Sequence, residues 1–470
     1  MVEKFEFTDK LKKSLYYMIG AGVLGLILAF VLYPANTHSR FWSNILLNAY
    51  YFTGIGIFGI FFVSANQLGY GGWITLIKRV FMSLSGFIKV GAVFALIIIG
   101  GVWLHYHSLY SWADHDIFKT LNNTKQTFFN SSFWTIRVLI YFTLWIFVGG
   151  AVIKAINAKN INEPTVYKRS KLMAALWIVI FAVTESFVSW DLIMGADPHW
   201  YSTLFGWYNF ASYGCAAFAF TILLLIYMKS KGYLPQVNEN HIHDVGKMMF
   251  GFSILWTYLW FDQFMLQWYG NIPEDTRYWV KRFDVPLFKF TIFFSLTLNF
   301  VFPLLLFIRR SAKRNFKHAA FIAVVVIIGH YFDFFNMTMY EPNNAIKKET
   351  VAEAKKEAQA KAAAVFYAQN KTEDKAASKE EKPGTDAKDE VKSEGKQEMK
   401  VSGERAPIEA TEAEAPIQTY AGFGIFEIMI FTGFLGGFLL MFFGEYSKEP
   451  VFNENDPYLK ESLRLHVEYA

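Results

Sequence analysis

The sequence predicts an all-α polytopic membrane protein with ten transmembrane helices. Of its 470 residues, 53% are hydrophobic and 19% are aromatic, which is too apolar a composition for two or three soluble domains. The charged residues fall largely outside a series of long apolar runs. These runs are continuous rather than alternating, and such a pattern favours spanning helices over the strands of a barrel.

Each run is long enough to cross a hydrocarbon core of roughly 30 Å as a helix. The ten runs are residues 15–33, 45–64, 86–104, 133–153, 172–190, 207–228, 248–268, 287–308, 319–335 and 421–443. The first has a charged leader but no small-residue cleavage site after it, so we interpret it as a retained helix rather than a signal peptide. Pro303 lies inside the eighth run, where it should kink or locally open the helix.

The Lys and Arg residues of the short loops predict the orientation of the helices. Most of them lie on one side, in the N-terminal segment, in alternate loops and in the C-terminal tail. The other side holds only six of them, namely Arg40, Lys119, Lys125, Arg277, Lys281 and Arg282. Because short loops rich in Lys and Arg stay in the cytoplasm, we expect both termini to be cytoplasmic.

Residues 343–420 differ in kind from the rest of the chain. They carry 14 basic and 16 acidic residues with three prolines, and too little apolar area to fold alone. The predicted topology makes them a charged, low-complexity periplasmic insert. The chain therefore divides into residues 1–342 with helices one to nine, the insert, and residues 421–470 with helix ten and a cytoplasmic tail.

The cysteine count limits the chemistry that this chain can perform by itself. Its single cysteine, Cys215, lies inside an apolar run, so the sequence offers no disulfide, no thiolate-held iron-sulfur cluster and no C-x-x-C-H haem attachment. Any bound electron carrier must belong to a partner. No basic face of the kind that binds nucleic acid is visible either, so we expect no nucleic-acid partner.

Several ionisable residues lie inside the predicted spans, where they are costly and point to function or to buried pairs. The candidates for a proton path are Glu185, Asp262, His330, Asp333 and Glu427. Arg137 and Lys289 could neutralise nearby carboxylates instead, so a structural role stays open for each. His330 and Asp333 are three residues apart and share a helix face, which suits either a proton relay or a histidine held by its own aspartate.

The stretch "SWDLIMGADPHWYSTLFGWY", residues 189–208, places carboxylates, an imidazole and aromatic rings at the end of the fifth span. Such rings can pack the faces of a flat redox head group, and the polar groups can bond its oxygens. The predicted head-group site comprises Trp190, Asp191, His199 and Trp200. Within it, Asp191 and His199 are the predicted proton acceptors, and we expect no metal.

The second distinctive block is "WYGNIPEDTRYW", residues 268–279. Gly270 and Asn271 permit a tight turn and Pro273 stiffens it, so the block could form a docking platform for a peripheral partner. An aromatic belt at the membrane interface explains its rings equally well. Earlier in the chain, "HIHD" resembles a metal motif, but Asp244 stands where we expect a helix N-cap.

The motifs "DPHWYSTLFGWY" and "WYGNIPED" resemble those of the ActF-type membrane subunits of bacterial alternative complex III, a quinol:electron-acceptor oxidoreductase. A more distant likeness is to the NrfD/PsrC family of quinone-interacting membrane subunits. The resemblance covers residues 1–342 and 421–470. It implies two four-helix bundles, from helices two to five and six to nine, flanked by helices one and ten.

The resemblance also implies partners and a location. The partners would be a paralogous ten-helix subunit, a peripheral iron-sulfur subunit, multihaem cytochrome c subunits and a terminal oxidase, all at the bacterial inner membrane. Haems and iron-sulfur clusters would lie on those partners, whereas this chain would hold no covalent cofactor and at most a quinone or quinol.

Three functions stay open at this point. In the first, the chain binds quinol at Asp191 and His199. In the second, it is a noncatalytic paralogue that anchors the peripheral subunits, so that whether this chain holds an active site is undecided. In the third, it is a secondary transporter, which predicts broken helices at matching places in two halves of the chain.

Overall fold

The chain, for which we have a computed structural model, is described over residues 3–33, 35–340 and 423–465, with the backbone alone for residues 35–37. Those ranges are helical and contain no β-strand, which confirms the all-α fold class. Their only bridge of the β type joins Lys4 to Pro450. The predicted insert, residues 343–420, lies outside the described residues.

Ten long helices follow one another within these described ranges and are numbered here in chain order. They are α1 (Asp9–Leu32), α2 (Ala35–Leu68), α3 (Lys78–Trp103), α4 (Ser131–Ile156), α5 (Pro164–Leu192), α6 (Leu204–Ser230), α7 (Glu239–Gly270), α8 (Pro286–Phe307), α9 (Phe316–Thr338) and α10 (Ile425–Tyr446). Shorter helical segments are Gly72–Ile74, Ser111–Ala113, His115–Thr120, Asn123–Phe128, Met194–Ala196, Pro273–Phe283, Arg310–Arg314 and Leu459–Leu463.

Within the described ranges, nine of these helices are long and apolar enough to cross a membrane. They correspond to nine of the ten predicted runs. The remaining helix, α7, has 32 residues, but its Trp, Tyr, Gln and Asp residues make it less apolar than the others. That α7 also crosses the membrane therefore stays a prediction.

The helix starts follow local sequence chemistry. Pro164 and Pro286 begin α5 and α8, where a missing backbone N–H costs nothing. Asn130 and Asn238 cap α4 and α7 with their side-chain oxygens. The expectation that Asp244 caps α7 is wrong. Asparagine is as good a cap as aspartate, and Asn238, six residues earlier, already occupies that position.

Pro303 opens α8 as the sequence predicts. A π-helical turn, Thr297–Val301, directly precedes it, so the helix accommodates the missing N–H and the ring by widening rather than by stopping. The predicted tight turn after α7 is also present, with Asn271 in the left-handed conformation at φ 48°. The rest of that block is not a loop, however, because Pro273 starts the helix Pro273–Phe283.

The core is built around α2. In its most apolar window, 94% of the residues are buried, whereas the corresponding value for α1 is 22%. Helix α2 contacts α3, α4, α5, α6, α9 and α10. Helices α1 and α10 pair along their lengths because Gly22 faces Gly433. A Cβ atom added to either glycine would lie 2.4 Å from the Cα of the other.

Two sets of four helices have similar neighbours, although α2 also contacts α4 within the first set. In the first set, α2 contacts α3 and α5, and α4 contacts α3 and α5. In the second set, α6 contacts α7 and α9, and α8 contacts α7 and α9. The two sets touch mainly through α2, α5, α6 and α9. Of these helices, α2, α6 and α9 are the most enclosed of the nine, whereas 39% of the most apolar window of α5 is buried.

The C-terminal segment ties several helix ends together on one side of the molecule. Asp456 accepts a 2.7 Å ion pair from Lys78 at the start of α3. Ser462 donates to the carbonyl of Trp73 at 2.8 Å, and Asn455 donates to that of Lys159 at 2.7 Å. These bonds hold the loops that precede α3 and α5 against the same C-terminal segment.

The predicted orientation can be tested with single cysteines in a chain whose Cys215 is replaced by alanine. Lys317 and Lys119 are both exposed and lie on opposite predicted sides. In intact cells, an impermeant thiol reagent should label Lys119→Cys and leave Lys317→Cys unlabelled until the membrane is permeabilised. The reverse pattern would invert the topology.

Candidate functional site

Asp191 lies in the last turn of α5 and is completely buried. Its Oδ1 accepts a hydrogen bond from Arg137 Nη2 at 2.6 Å, and its Oδ2 accepts bonds from Arg137 Nε at 3.0 Å and Tyr141 at 2.8 Å. Both donors come from α4. The carboxylate is therefore the acceptor of a two-pronged ion pair, and its oxygens face protein donors.

The surroundings of Arg137 hold this pair in place. Its guanidinium lies 4.1 Å from the ring centre of Phe128 and 4.3 Å from that of Phe133. It also donates to the carbonyl of Phe128 at 2.9 Å. The backbone of the same turn is held too, since Trp134 donates to the Asp191 carbonyl at 3.1 Å. The pair thus locks the C-terminal end of α5 to α4.

His199 lies eight residues further on, exposed, in the segment between α5 and α6. No hydrogen bond among the described residues joins it to Asp191. Its backbone N–H donates to Asp197 Oδ1 at 3.3 Å. Partial burial, together with the charge of Arg277 and nearby lysines, lowers the pKa of His199 below its ordinary value. The ring therefore favours the neutral form at pH 7.

Asp197 joins the two sequence motifs. Its Oδ2 accepts an ion pair at 3.0 Å from Lys281 of the helix Pro273–Phe283. Close to this pair, Trp200 stacks on Tyr278 with ring centres 4.1 Å apart. Burial alone would raise the pKa of Asp197, but Lys281 and two neighbouring arginines hold it below its ordinary value.

The four residues of the predicted head-group site therefore do not form one pocket. Asp191 is turned towards α4, and Trp190 packs on Phe187 of its own helix at 5.1 Å. His199 and Trp200 belong instead to the junction with the helix Pro273–Phe283.

A different space lies beside these residues, between α2, α3, α4, α5 and α6. This cleft, called the α2 cleft below, is narrow, with a cavity volume of about 20 Å³, which is room for about one water molecule. Its walls are mainly apolar, with Leu46, Ile98 and Phe142 among them. Gly91 lets α3 approach the Thr53 side chain of α2 closely at this cleft, because a Cβ there would lie 2.0 Å from Thr53 Oγ1.

Four polar atoms of the α2 cleft and its edge are buried without a hydrogen-bond partner of regular geometry. They are the hydroxyls of Tyr50, Thr53 and Tyr213 and the Oε1 atom of Glu185. Glu185 lies within electrostatic reach of both tyrosines and continues the face of α5 that carries Val188 and Leu192 into the cleft. Buried polar atoms are nearly always satisfied, so this convergence is typical of a binding site.

A second buried network surrounds Asp333 of α9. Its Oδ1 accepts from Tyr208, and its Oδ2 accepts from Ser212 at 2.7 Å and from Trp256 at 2.8 Å. His330 does not bond to Asp333 directly. Ser212 Oγ lies 3.0 Å from His330 Nδ1, and since its one proton goes to Asp333, it accepts the Nδ1–H of His330. His330 Nε2 is buried without a partner.

The other predicted proton-path residues have separate surroundings. Glu427 forms a two-pronged pair with Arg40 at 2.7 Å and also accepts from the Gly424 N–H at 2.8 Å. Asp262 is half-buried on α7. Lys289 is exposed, so the carboxylate partner that the sequence offered it is not found among the described residues.

The sequence analysis missed Tyr50, Thr53 and Tyr213. Tyr50 and Thr53 stand three residues apart, which places both on one face of α2. Tyrosines are frequent in apolar spans, however, and no pattern in the sequence shows that helices from distant segments bring these hydroxyls to Glu185. A comparison of the chain with protein-family models and with curated proteins finds no match.

The Arg137–Asp191 pair should dominate the stability of the α4–α5 contact. Asp191→Ala leaves a buried guanidinium without its counter-charge, which costs about 3–5 kcal/mol, so the unfolding midpoint of the purified protein should fall steeply. The double variant Arg137→Met/Asp191→Leu removes both charges and should recover much of that loss. If Asp191→Ala unfolds like wild type, the pair is not structural.

The Asp197–Lys281 pair predicts a pH dependence. Because the folded-state pKa of Asp197 is lowered, the pair stabilises the fold above the ordinary value of 3.8, and this stabilisation is lost as pH falls through the lowered pKa. Lys281→Met should therefore lower the unfolding midpoint at pH 7 and match wild type at strongly acidic pH. An equal difference at both pH values would exclude this linkage.

Proposed function

We propose that this chain is an integral membrane subunit of a respiratory quinol-oxidising complex and that the α2 cleft receives the quinol head group. The observation that supports this proposal is that buried polar groups of Tyr50, Thr53 and Tyr213 lie at an apolar cleft with Glu185 at its edge, each with an atom that has no hydrogen bond of regular geometry. A ring with two opposed hydroxyls needs apolar walls and a few polar groups at its ends.

The chemistry assigns Glu185 the role of proton acceptor. Oxidation of one quinol to quinone releases two electrons and two protons, so a base must stand within hydrogen-bond reach of a hydroxyl. Glu185 is the carboxylate at the edge of the cleft, whereas Asp191 already accepts three bonds from Arg137 and Tyr141. The electrons pass to an iron-sulfur or haem group on a partner subunit, because Cys215 is the only cysteine of this chain.

The proposal includes the finer architecture that the sequence predicts. Helices α2–α5 and α6–α9 form two four-helix bundles flanked by α1 and α10, and α7 is the tenth span. The similar neighbours of the two sets support this arrangement. The complex lies in the bacterial inner membrane with both termini in the cytoplasm, and its partners are those that the family resemblance implies.

A noncatalytic anchoring role is the second candidate, and the ion pairs favour it. Asp191 and Glu427 are both engaged by arginines, and Asp197 ties two outer segments together, as a rigid platform for peripheral subunits requires. A transporter is less well supported. A transporter of this kind should have broken helices at matching places in the two sets. The irregular turn Ser85–Phe87 lies in α3, the second helix of its set, whereas Thr297–Val301 lies in α8, the third helix of its set, so the two do not match.

Turnover of the assembled complex separates these roles. Glu185→Gln keeps the shape and removes the base, so quinol oxidation with a soluble electron acceptor should fall about 10²-fold or more. Ala95→Phe should fill the α2 cleft and abolish quinol binding. Leu96→Phe is its matched control, because the neighbouring side chain is 54% exposed on the outer face of α3.

Normal turnover in assembled complexes of both Glu185→Gln and Ala95→Phe would reject the α2 cleft as the quinol site and leave the anchoring role. Asp191→Asn should lower the yield of assembled complex more than the turnover of each assembled molecule. A large loss of turnover with full assembly would instead restore Asp191 as the proton acceptor.

A further inference from the structure

The α2 cleft is smaller than the ring that the proposed function places in it. Its cavity volume is about 20 Å³, whereas a cavity of about 150 Å³ is of the size that holds a benzene ring. A quinol head group therefore enters only if one of the surrounding helices moves. These helices differ in how firmly their neighbours hold them.

The cleft has an inner wall and an outer wall. Helices α2 and α6 form the inner wall, with 94% and 78% of their most apolar windows buried. The corresponding values are 56% for α3, 39% for α4 and 39% for α5, so these three helices separate the cleft from the surrounding lipid. The outer helices meet along two seams, one between α3 and α4 and the other between α4 and α5.

The seam between α4 and α5 is closed by polar bonds. Arg137 and Tyr141 of α4 both donate to the Asp191 carboxylate of α5. Further along the same seam, Trp145 donates to Thr184 Oγ1 at 2.9 Å. Opening this seam would leave the buried Asp191 carboxylate without its counter-charge, which is strongly unfavourable.

The seam between α3 and α4 has much weaker ties. In the described residues, one side-chain hydrogen bond joins these two helices, from Trp103 Nε1 to Thr135 Oγ1 at 3.0 Å, and it lies in an exposed position. The side chains that the two helices turn into the cleft are apolar, with Ala95 and Ile98 on α3 and Phe142 on α4. Opening this seam therefore exposes no buried charge.

Helix α3 consists of two parts that the 3₁₀ turn Ser85–Phe87 joins. The first part, Lys78–Leu84, is buried at every residue, and its Lys78 pairs with Asp456 at 2.7 Å. The second part, Ile88–Trp103, supplies the α3 wall of the cleft and exposes its opposite face. A 3₁₀ turn inside a helix often marks a hinge, and this one separates an anchored part from a loosely tied one.

We infer that a membrane-dissolved quinol with a hydrocarbon tail reaches the α2 cleft from the side, between α3 and α4. The part Ile88–Trp103 turns away from α4 about the hinge Ser85–Phe87, and the head group moves inward to Glu185. The tail stays in the opened seam, between apolar side chains. The substrate class is therefore a lipophilic quinol. This inference rests on the proposed function, because it needs a quinol in the α2 cleft.

A reversible tether across the seam tests this route in the assembled complex. In a chain whose Cys215 is replaced by alanine, Trp103→Cys/Thr135→Cys places one thiol on each helix, and a short bifunctional methanethiosulfonate reagent joins them. The tether should lower multiple-turnover oxidation of a long-tailed quinol at least about tenfold, because the seam can no longer open. Reductive cleavage of the tether, followed by removal of the reductant, should restore the rate.

Quinol that is bound before the tether is made should still be oxidised once, because the tether blocks entry and leaves the chemistry intact. Each single-cysteine variant treated with the same reagent is the matched control and should turn over like the untreated protein. The untethered double variant should do the same, which checks that it is folded and assembled.

Normal turnover of the tethered complex would overturn the route between α3 and α4, and so would a tether that also stops the oxidation of preloaded quinol. Failure of the proposed function has a different signature. In that case Ala95→Phe, which fills the cleft itself, would turn over normally, whereas a wrong route with a correct site leaves Ala95→Phe inactive and the tethered complex active.

Discussion

A charge buried among membrane helices needs its counter-charge within the same helices, because hydrocarbon offers no water to replace it. Arg137–Asp191 meets this need between α4 and α5, and Arg40–Glu427 meets it between α2 and α10. The relative positions of these helices follow, since a shift of either partner would strand a charge. In the described part of the chain, Glu185 has no such cation beside it, so no counter-charge offsets its burial.

The sequence predicted those features that are set by residues close together in the chain. Nine apolar runs are spanning helices by length and apolarity, Pro303 opens α8, and Asn271 makes the turn after α7. It could not predict the direction of a side chain near a helix end. Glu185 and Asp191 are six residues apart, which is about 240° around a helix, so one faces the cleft and the other faces α4. Its place in the aromatic motif made Asp191 the predicted proton acceptor, whereas the packing of the helices makes Glu185 the better candidate.

The aromatic-rich motifs illustrate the same limit. Their residues were expected to receive a head group or a partner, but in the structure they first serve one another, through Asp197–Lys281 and Trp200–Tyr278. No sequence pattern predicts contacts between residues as far apart in the chain as Asp197 and Lys281, which are 84 positions apart. What such a junction does supply is stiffness, because an ion pair and a ring stack join the segment after α5 to the helix Pro273–Phe283. A stiff surface at this end of the helices suits the anchoring role proposed above as well as it suits the quinol-binding role.

Helix α6 lies between the two polar regions of the core. Tyr213 turns its hydroxyl to the α2 cleft, while the adjacent Ser212 bonds Asp333 and His330 of α9, since successive residues of a helix point about 100° apart. Tyr208, one turn earlier, bonds the same Asp333. Any movement of α6 that accommodates a ligand in the cleft must therefore also strain the Asp333 network, because tightly packed helices do not deform locally. The two regions are therefore coupled through α6, even though no hydrogen bond among the described residues joins Glu185 to Asp333.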